Sequence, residues 1–172
     1  RGISKKKLKD YKGAIADYNK AISLNPDNAK AYLNRGLSKF NLKDYYGAIA
    51  DYTKAIQLNP DYAKAYNNRG NSKGNLKDYY GAIADYNKAI SLNPDYAEAY
   101  YNRGISKKKL KDYKGAIADY TKAISLNPDN ADAYLNRGIS KEISGKPYCG
   151  DYKKACDLGI SRCCEWYNNQ CR

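Results

Sequence analysis

The sequence contains no histidine and no methionine. Without imidazole the chain lacks the side chain most used for proton transfer near neutral pH and for metal binding. Without methionine it has no initiator residue, so it reads as a piece of a longer protein or as a chain whose leader has been removed. Cysteine is absent from the first 148 residues, and all five lie between Cys149 and Cys171. The bulk of the chain is therefore not a disulfide-framed fold. No apolar run approaches the roughly 18 to 20 residues that cross a bilayer, and no signal peptide is visible. The chain reads as soluble, without a membrane partner, and a cytoplasmic setting is favoured unless the cysteines are bridged.

What is present is a period. Pro26, Pro60, Pro94 and Pro128 stand 34 residues apart, each within Leu-Asn-Pro-Asp. Tyr32, Tyr66, Tyr100 and Tyr134 keep the same step, as do Ala14, Ala48, Ala82 and Ala116. Residues 1–36 recur at 103–138 with two changes, Asn19 to Thr121 and Lys30 to Asp132, which points to duplication of a three-unit block.

Each unit reads as two helices. In 29–62, Asp27 is placed to cap a first helix that runs from Ala29 to about Leu42. Lys43-Asp44 makes the turn and Asp44 caps the second helix. Ala48, Ile49, Tyr52, Ala55 and Ile56 share one face of that helix. Asn59-Pro60 ends it, because proline cannot continue a helix and restricts the residue before it. A lone pair cannot bury such a face, whereas stacked pairs share a continuous core. The expected fold is an all-α solenoid of antiparallel helix pairs. Its units are 1–28 (entered part-way through its first helix), 29–62, 63–96 and 97–130. Residues 131–172 hold a degenerate fifth repeat and a C-terminal capping helix.

Tyr32, Arg35, Gly36, Lys39, Ala48, Tyr52 and Pro60 resemble the tetratricopeptide repeat pattern, Trp-x2-Leu-Gly-x2-Tyr, then Ala-x3-Phe, then Pro. Gly, Ala and Pro match; Tyr replaces Trp and Phe; Arg35 and Lys39 stand where the family has apolar residues. The resemblance implies a right-handed superhelical solenoid whose first helices line a concave groove. It implies a protein-binding array rather than an enzyme.

The triplet Asn-Arg-Gly recurs in every first helix. Gly36, Gly70, Gly104 and Gly138 would each cost about 1 kcal/mol inside a helix. The compensation expected is close helix approach, with Ala48 and Ala55 opposite. Arg35, Arg69, Arg103 and Arg137 accompany Asp51, Asp85, Asp119 and Asp151, and an internal ion pair is the expected use. Asn34, Asn68, Asn102 and Asn136 lie on another stripe, with Lys30, Leu37 and Asn41 in the second unit. The resemblance makes that stripe an asparagine ladder along the groove. An amide offers one acceptor and two donors, which matches a peptide unit. The candidate peptide-binding residues are the four asparagines with Lys30, Lys64, Leu37, Phe40, Asn71, Tyr101, Ile105 and Lys108. The variant of the family that clamps chaperone C-termini needs a lysine where this chain has Leu33, Asn67, Tyr101 and Leu135, so that clamp is read as absent.

The net charge is +13. It is spread over all units, with local runs at Lys5–Lys9 and Lys107–Lys111 that end first helices, where cations suit the helix dipole. The charge favours an acidic or mixed peptide partner. It permits non-specific nucleic-acid contact, but most of the 20 tyrosines repeat at apolar-face positions rather than forming a stacking platform.

After Gly138 the pattern departs. Gly145-Lys146-Pro147 makes a tighter turn, with Pro147 suited to a helix's first turn. Cys149 and Cys156 take the places of Ile117 and Ile124 and should face the core. Ile160, Cys163, Cys164, Tyr167 and Cys171 form a further helical stripe. No Cys-x2-Cys pair and no histidine is present, so zinc is not expected. The cysteines read as small buried hydrophobes, with a disulfide as the alternative. Lys154 to Cys164 also resembles the Sel1-like repeats, where cysteines eight apart bridge adjacent helices; this implies Cys156–Cys164. No catalytic constellation and no cofactor site is expected. Alternatives are a regulatory or substrate-docking array of a larger enzyme, or self-association through an exposed repeat end.

Overall fold

The computed structural model describes residues 10–171. The Lys5–Lys9 run and the first-helix remnant expected at the start of the chain lie outside them. The chain divides into two compact units, Arg1–Asn93 and Pro94–Arg172. In the first are α1 (Tyr11–Leu24), α2 (Ala29–Asn41), α3 (Tyr45–Leu58), α4 (Ala63–Asn75) and α5 (Tyr79–Leu92). The second holds α6 (Ala97–Lys109), α7 (Tyr113–Leu126), α8 (Ala131–Ile143), α9 (Cys149–Asp157) and α10 (Ser161–Gln170). The described residues contain no strand. Within each unit, successive helices pack side by side.

Local chemistry sets the boundaries. Asp44 caps α3 by accepting from the Gly47 N–H at 2.9 Å, and Asp10, Asp78 and Asp112 do the same for α1, α5 and α7. The first helices end on Lys43, Lys77 and Lys111, each with positive φ, in the left-handed conformation usual after a helix C-terminus. Gly145 takes that place after α8, with φ 66°. The second helices stop at Asn25, Asn59, Asn93 and Asn127, each directly before a proline.

Two expectations need correction here. The cap of α2 is Asn28, which accepts from the Ala31 N–H, and not Asp27. Asp27 is already held in the turn by its own N–H donating to Asn25 Oδ1 at 3.1 Å. Pro147 stands outside α9, which begins at Cys149.

The core of the first unit gathers Leu33, Ala48, Tyr52, Ala55, Ile56 and Ala65. In the second, Leu135, Tyr152, Ala155 and Cys163 form a cluster with Trp166 and Tyr167 packed against it. The repeated glycine serves close approach, but to an aromatic ring and not to alanine. A Cβ on Gly36 would stand 2.8 Å from the Tyr52 ring, and one on Gly138 2.7 Å from the Tyr152 ring. The missing Cβ leaves room for the ring of each tyrosine against the first helix.

The chain end is stapled. Cys149 bonds to Cys171 and Cys156 to Cys164, with Cα atoms 5.7 and 4.9 Å apart. Only Cys163 is free, and it is buried. The reading of all five as buried hydrophobes is thereby corrected. Cys149 and Cys156 are half-buried, because their sulfurs reach out of the helix pair to partners in the following segment.

Candidate functional site

The arginine of each triplet is spent inside the repeat. Arg35 Nε and Nη2 grip Asp51 Oδ2 and Oδ1 at 2.9 and 2.5 Å, and Lys39 Nζ meets Oδ2 as well, at 2.9 Å. The guanidinium also lies over the Tyr32 ring, 5.3 Å from its centroid. The same triad recurs as Arg69–Asp85–Lys73, Arg103–Asp119–Lys107 and Arg137–Asp151–Lys141. The aspartates are only 3–4% exposed, so two cations around one carboxylate compensate its burial. The hydrogen bond to Asp51 holds the Arg35 pKa above its ordinary value. A further arm crosses to the preceding repeat: Arg35 Nη1 donates to Asn19 Oδ1 at 2.7 Å, and Arg69 Nη1 to Thr53 Oγ1 at 3.1 Å. The lysine member was not anticipated. Its signal was available, since Lys39, Lys73, Lys107 and Lys141 share the 34-residue step.

The asparagines occupy one register but not one environment. In the first unit, Asn34 is half-buried and donates to the Lys30 carbonyl at 2.9 Å. Asn68 is 8% exposed, and its amide nitrogen has no hydrogen-bond partner. Leu37 and Phe40 are half-buried on α2, while Lys30 and Lys64 are exposed. Phe40 packs edge-on against Tyr45. Asn71 is drawn inward, where its oxygen accepts from the Tyr86 hydroxyl at 2.8 Å.

In the second unit, three of the expected residues come together. Asn136 donates to the Tyr101 hydroxyl at 3.1 Å and to the Asp132 carbonyl at 2.8 Å, and its oxygen accepts from Lys108 Nζ at 2.5 Å. This network joins α6 to α8. Burial, with the Asp132 charge second, pushes the Tyr101 hydroxyl up to about 12. Burial and then the neighbouring Lys109 lower the Lys108 pKa. Lys108 is thus not the solvated surface cation its place in a lysine run suggests. Ile105 and Asn102 are half-buried.

The model for tetratricopeptide repeats matches residues 29–62, 63–96 and 97–130, and related repeat models match 5–43 and 119–157. The chain belongs to the tetratricopeptide repeat family. Among solved structures, this tetratricopeptide repeat protein is similar to MamA, at 29% identity and TM-score 0.85 over 94% of this chain and 95% of that one. The first repeat domain of Spaghetti (RPAP3), solved with the HSP90 peptide SRMEEVD, is 28% identical with TM-score 0.68, over 69% of this chain and 94% of that one. YrrB, a repeat protein with an unusual peptide-binding site, matches at TM-score 0.78 over 97% and 88%. Its 19% identity makes it a likeness of fold alone. No curated protein sequence matches the chain. No helix among the described residues is long and apolar enough to cross a membrane.

Proposed function

We propose that this chain is a non-catalytic protein-interaction module, and that the first-helix face of each unit holds an extended peptide segment. The observation that carries the reading is the division of labour inside the Asn-Arg-Gly triplet. Glycine and arginine are absorbed by the repeat's own packing. Asn34 makes a single bond, to its own helix, and Asn68 keeps an unpaired amide nitrogen. A buried amide donor left unpaired costs about 1–3 kcal/mol, which a peptide carbonyl recovers once the Asn68 side chain turns out of its buried position. Lys30 and Lys64 flank the amides on the first unit's face with exposed positive charge, suiting an acidic or mixed segment, while Leu37 and Phe40 offer apolar contact. On the second unit's face Asn102, Tyr101, Ile105, Lys108 and Asn136 hold the corresponding positions, and there Asn136 is already bonded to Tyr101 and Lys108. The peptide-bound relative Spaghetti (RPAP3) supports the class of ligand.

The test is selection of peptides from a displayed library on the immobilised chain, followed by calorimetry. Replacing Asn34 and Asn68 with alanine together should weaken a selected peptide about tenfold or more and leave the melting temperature within a few degrees. Unchanged affinity in the folded double variant would overturn the reading.

The Cys156–Cys164 bridge supports a second, narrower proposal. The chain end follows the Sel1-like pattern of bridged helices and works in an oxidising compartment, where such bonds persist. Thiol titration of the unfolded, unreduced protein should find one free thiol, and five would sink this reading.

A further inference from the structure

The last repeat, 131–157, departs from the others beside its ion triad. In repeat 29–62 the second helix starts at Tyr45, well ahead of Asp51; in the last repeat it starts at Cys149, just ahead of Asp151. About one turn of helix is missing there. The space left is a cavity of about 570 Å³ within the second unit, walled by Tyr134, Arg137 and Lys141 of α8 and by Tyr148 and Gly150 at the start of α9. That volume lies within the roughly 300–1,000 Å³ of small-ligand pockets.

The missing turn also changes the lysine. Lys39 reaches the Gly47 carbonyl at 3.5 Å, and Lys73 the Gly81 carbonyl at 3.4 Å. Both carbonyls belong to the turn that α9 lacks. Among the described residues the Lys141 ammonium meets Asp151 alone, at 2.8 Å, and so keeps donors for another acceptor. Arg137 and Lys141 share the single Asp151 carboxylate, leaving a local excess of one positive charge. The flanking walls are aromatic: Tyr134 lies under the Arg137 guanidinium, and Tyr148 packs against Tyr152 with ring centroids 5.3 Å apart. Gly150 leaves the floor open, since a Cβ there would meet nothing within 4 Å.

We propose that this cavity binds a compact carboxylate with a flat apolar body. The carboxylate sits on the Lys141 ammonium, and the body lies against Tyr134 and Tyr148. A single negative charge balances the local excess; a phosphate, at nearly two charges, overshoots it. The site uses the stripe of α8 that faces the second helix, not the stripe bearing Asn136, so it stands apart from the peptide face. A free aromatic acid and the aromatic C-terminal residue of a peptide share this chemistry.

Calorimetric titration separates the two sources. One arm uses 3-phenylpropionate and its amide; the other uses acetyl-Gly-Gly-Phe with a free or an amidated C-terminus. The acid of at least one arm should bind about tenfold more tightly than its amide, and the tighter arm names the source. Gly150→Leu fills the open floor without touching the triad and should abolish binding while the protein melts as before. Lys141→Gln should weaken binding about tenfold. Acid and amide binding alike, acid binding that survives in folded Gly150→Leu, or no binding of any probe to the wild type at about 10 mM would each overturn the proposal.

Discussion

Repeat 29–62 and the last repeat, 131–157, hold the same ion triad and the same glycine-under-tyrosine contact on differently built second helices. The first of them has a full α3, capped by Asp44. The last has a shortened α9 with no side-chain cap, entered through Gly145 and held by two disulfides. What survives the degeneration is Arg, Gly and Lys on one helix, and Asp and Tyr on the other. Those five residues therefore define the joint between paired helices. The first turn of the second helix is dispensable where two disulfides tie that helix to the segment that follows it.

The largest expected contrast comes from the shared carboxylate. Asp51→Ala strands two cations in a partly buried setting and should cost about 3–5 kcal/mol. Asp151→Ala should cost less, because Arg137 and Lys141 border an open cavity where water can solvate them. Chemical denaturation of the two variants checks the order, and equal losses would remove the distinction. Next come the bridges. Replacing Cys156 and Cys164, or Cys149 and Cys171, with serine should cost the last repeat about 2–4 kcal/mol. Hydrogen exchange should show that loss in α9 and α10 and not in α2 and α3. Gly36→Ala and Gly138→Ala should each cost about 1–3 kcal/mol through overpacking against tyrosine; thermal melts that move together would mark the joint as the same in both repeats. Asp44→Ala should cost about 1 kcal/mol by loss of the cap, an effect with no counterpart in α9.

The smallest contrast is alkaline. Burial raises the phenol pKa of Tyr52 and Tyr152 alike, as it raises Tyr101 from 10.0 to about 12. A raised pKa means the folded chain holds its proton to higher pH than the unfolded chain. The contribution is present in full below pH 10 and is lost as pH climbs through the folded values. The melting temperature should therefore fall above pH 10 in a titration followed by circular dichroism, in both units.

Much of the fold was legible because its rules are local. The 34-residue step, the Asn-Pro stops and the Asp44 cap are read from neighbours in sequence. The error at Asp27 came from two cap-competent residues side by side, where the choice depends on a turn bond from Asn25 that composition does not show. The ring opposite Gly36 was mistaken for alanine because Tyr52, Ala48 and Ala55 share one helical face, and periodicity cannot rank them. The candidate site was less legible. Asn34 and Asn136 are the same letter in the same register, yet Asn136 is tied to Tyr101 and Lys108 of a neighbouring helix. That difference is decided by residues about a repeat away. The Cys149–Cys171 bond was out of reach for a related reason, since it depends on where the chain folds back after α10.

The arginine arm that crosses to the preceding repeat has a consequence for heredity. Arg35 lands on Asn19, Arg69 on Thr53 and Arg137 on Thr121, so the acceptor can be an amide or a hydroxyl. Repeat 29–62 carries both parts, the plug Arg35 on its first helix and the socket Thr53 on its second. A whole repeat gained or lost by unequal crossing-over therefore leaves no plug hanging, whichever socket it meets. Length becomes a quantity that selection can adjust in steps of 34 residues while the junctions within a unit keep their design.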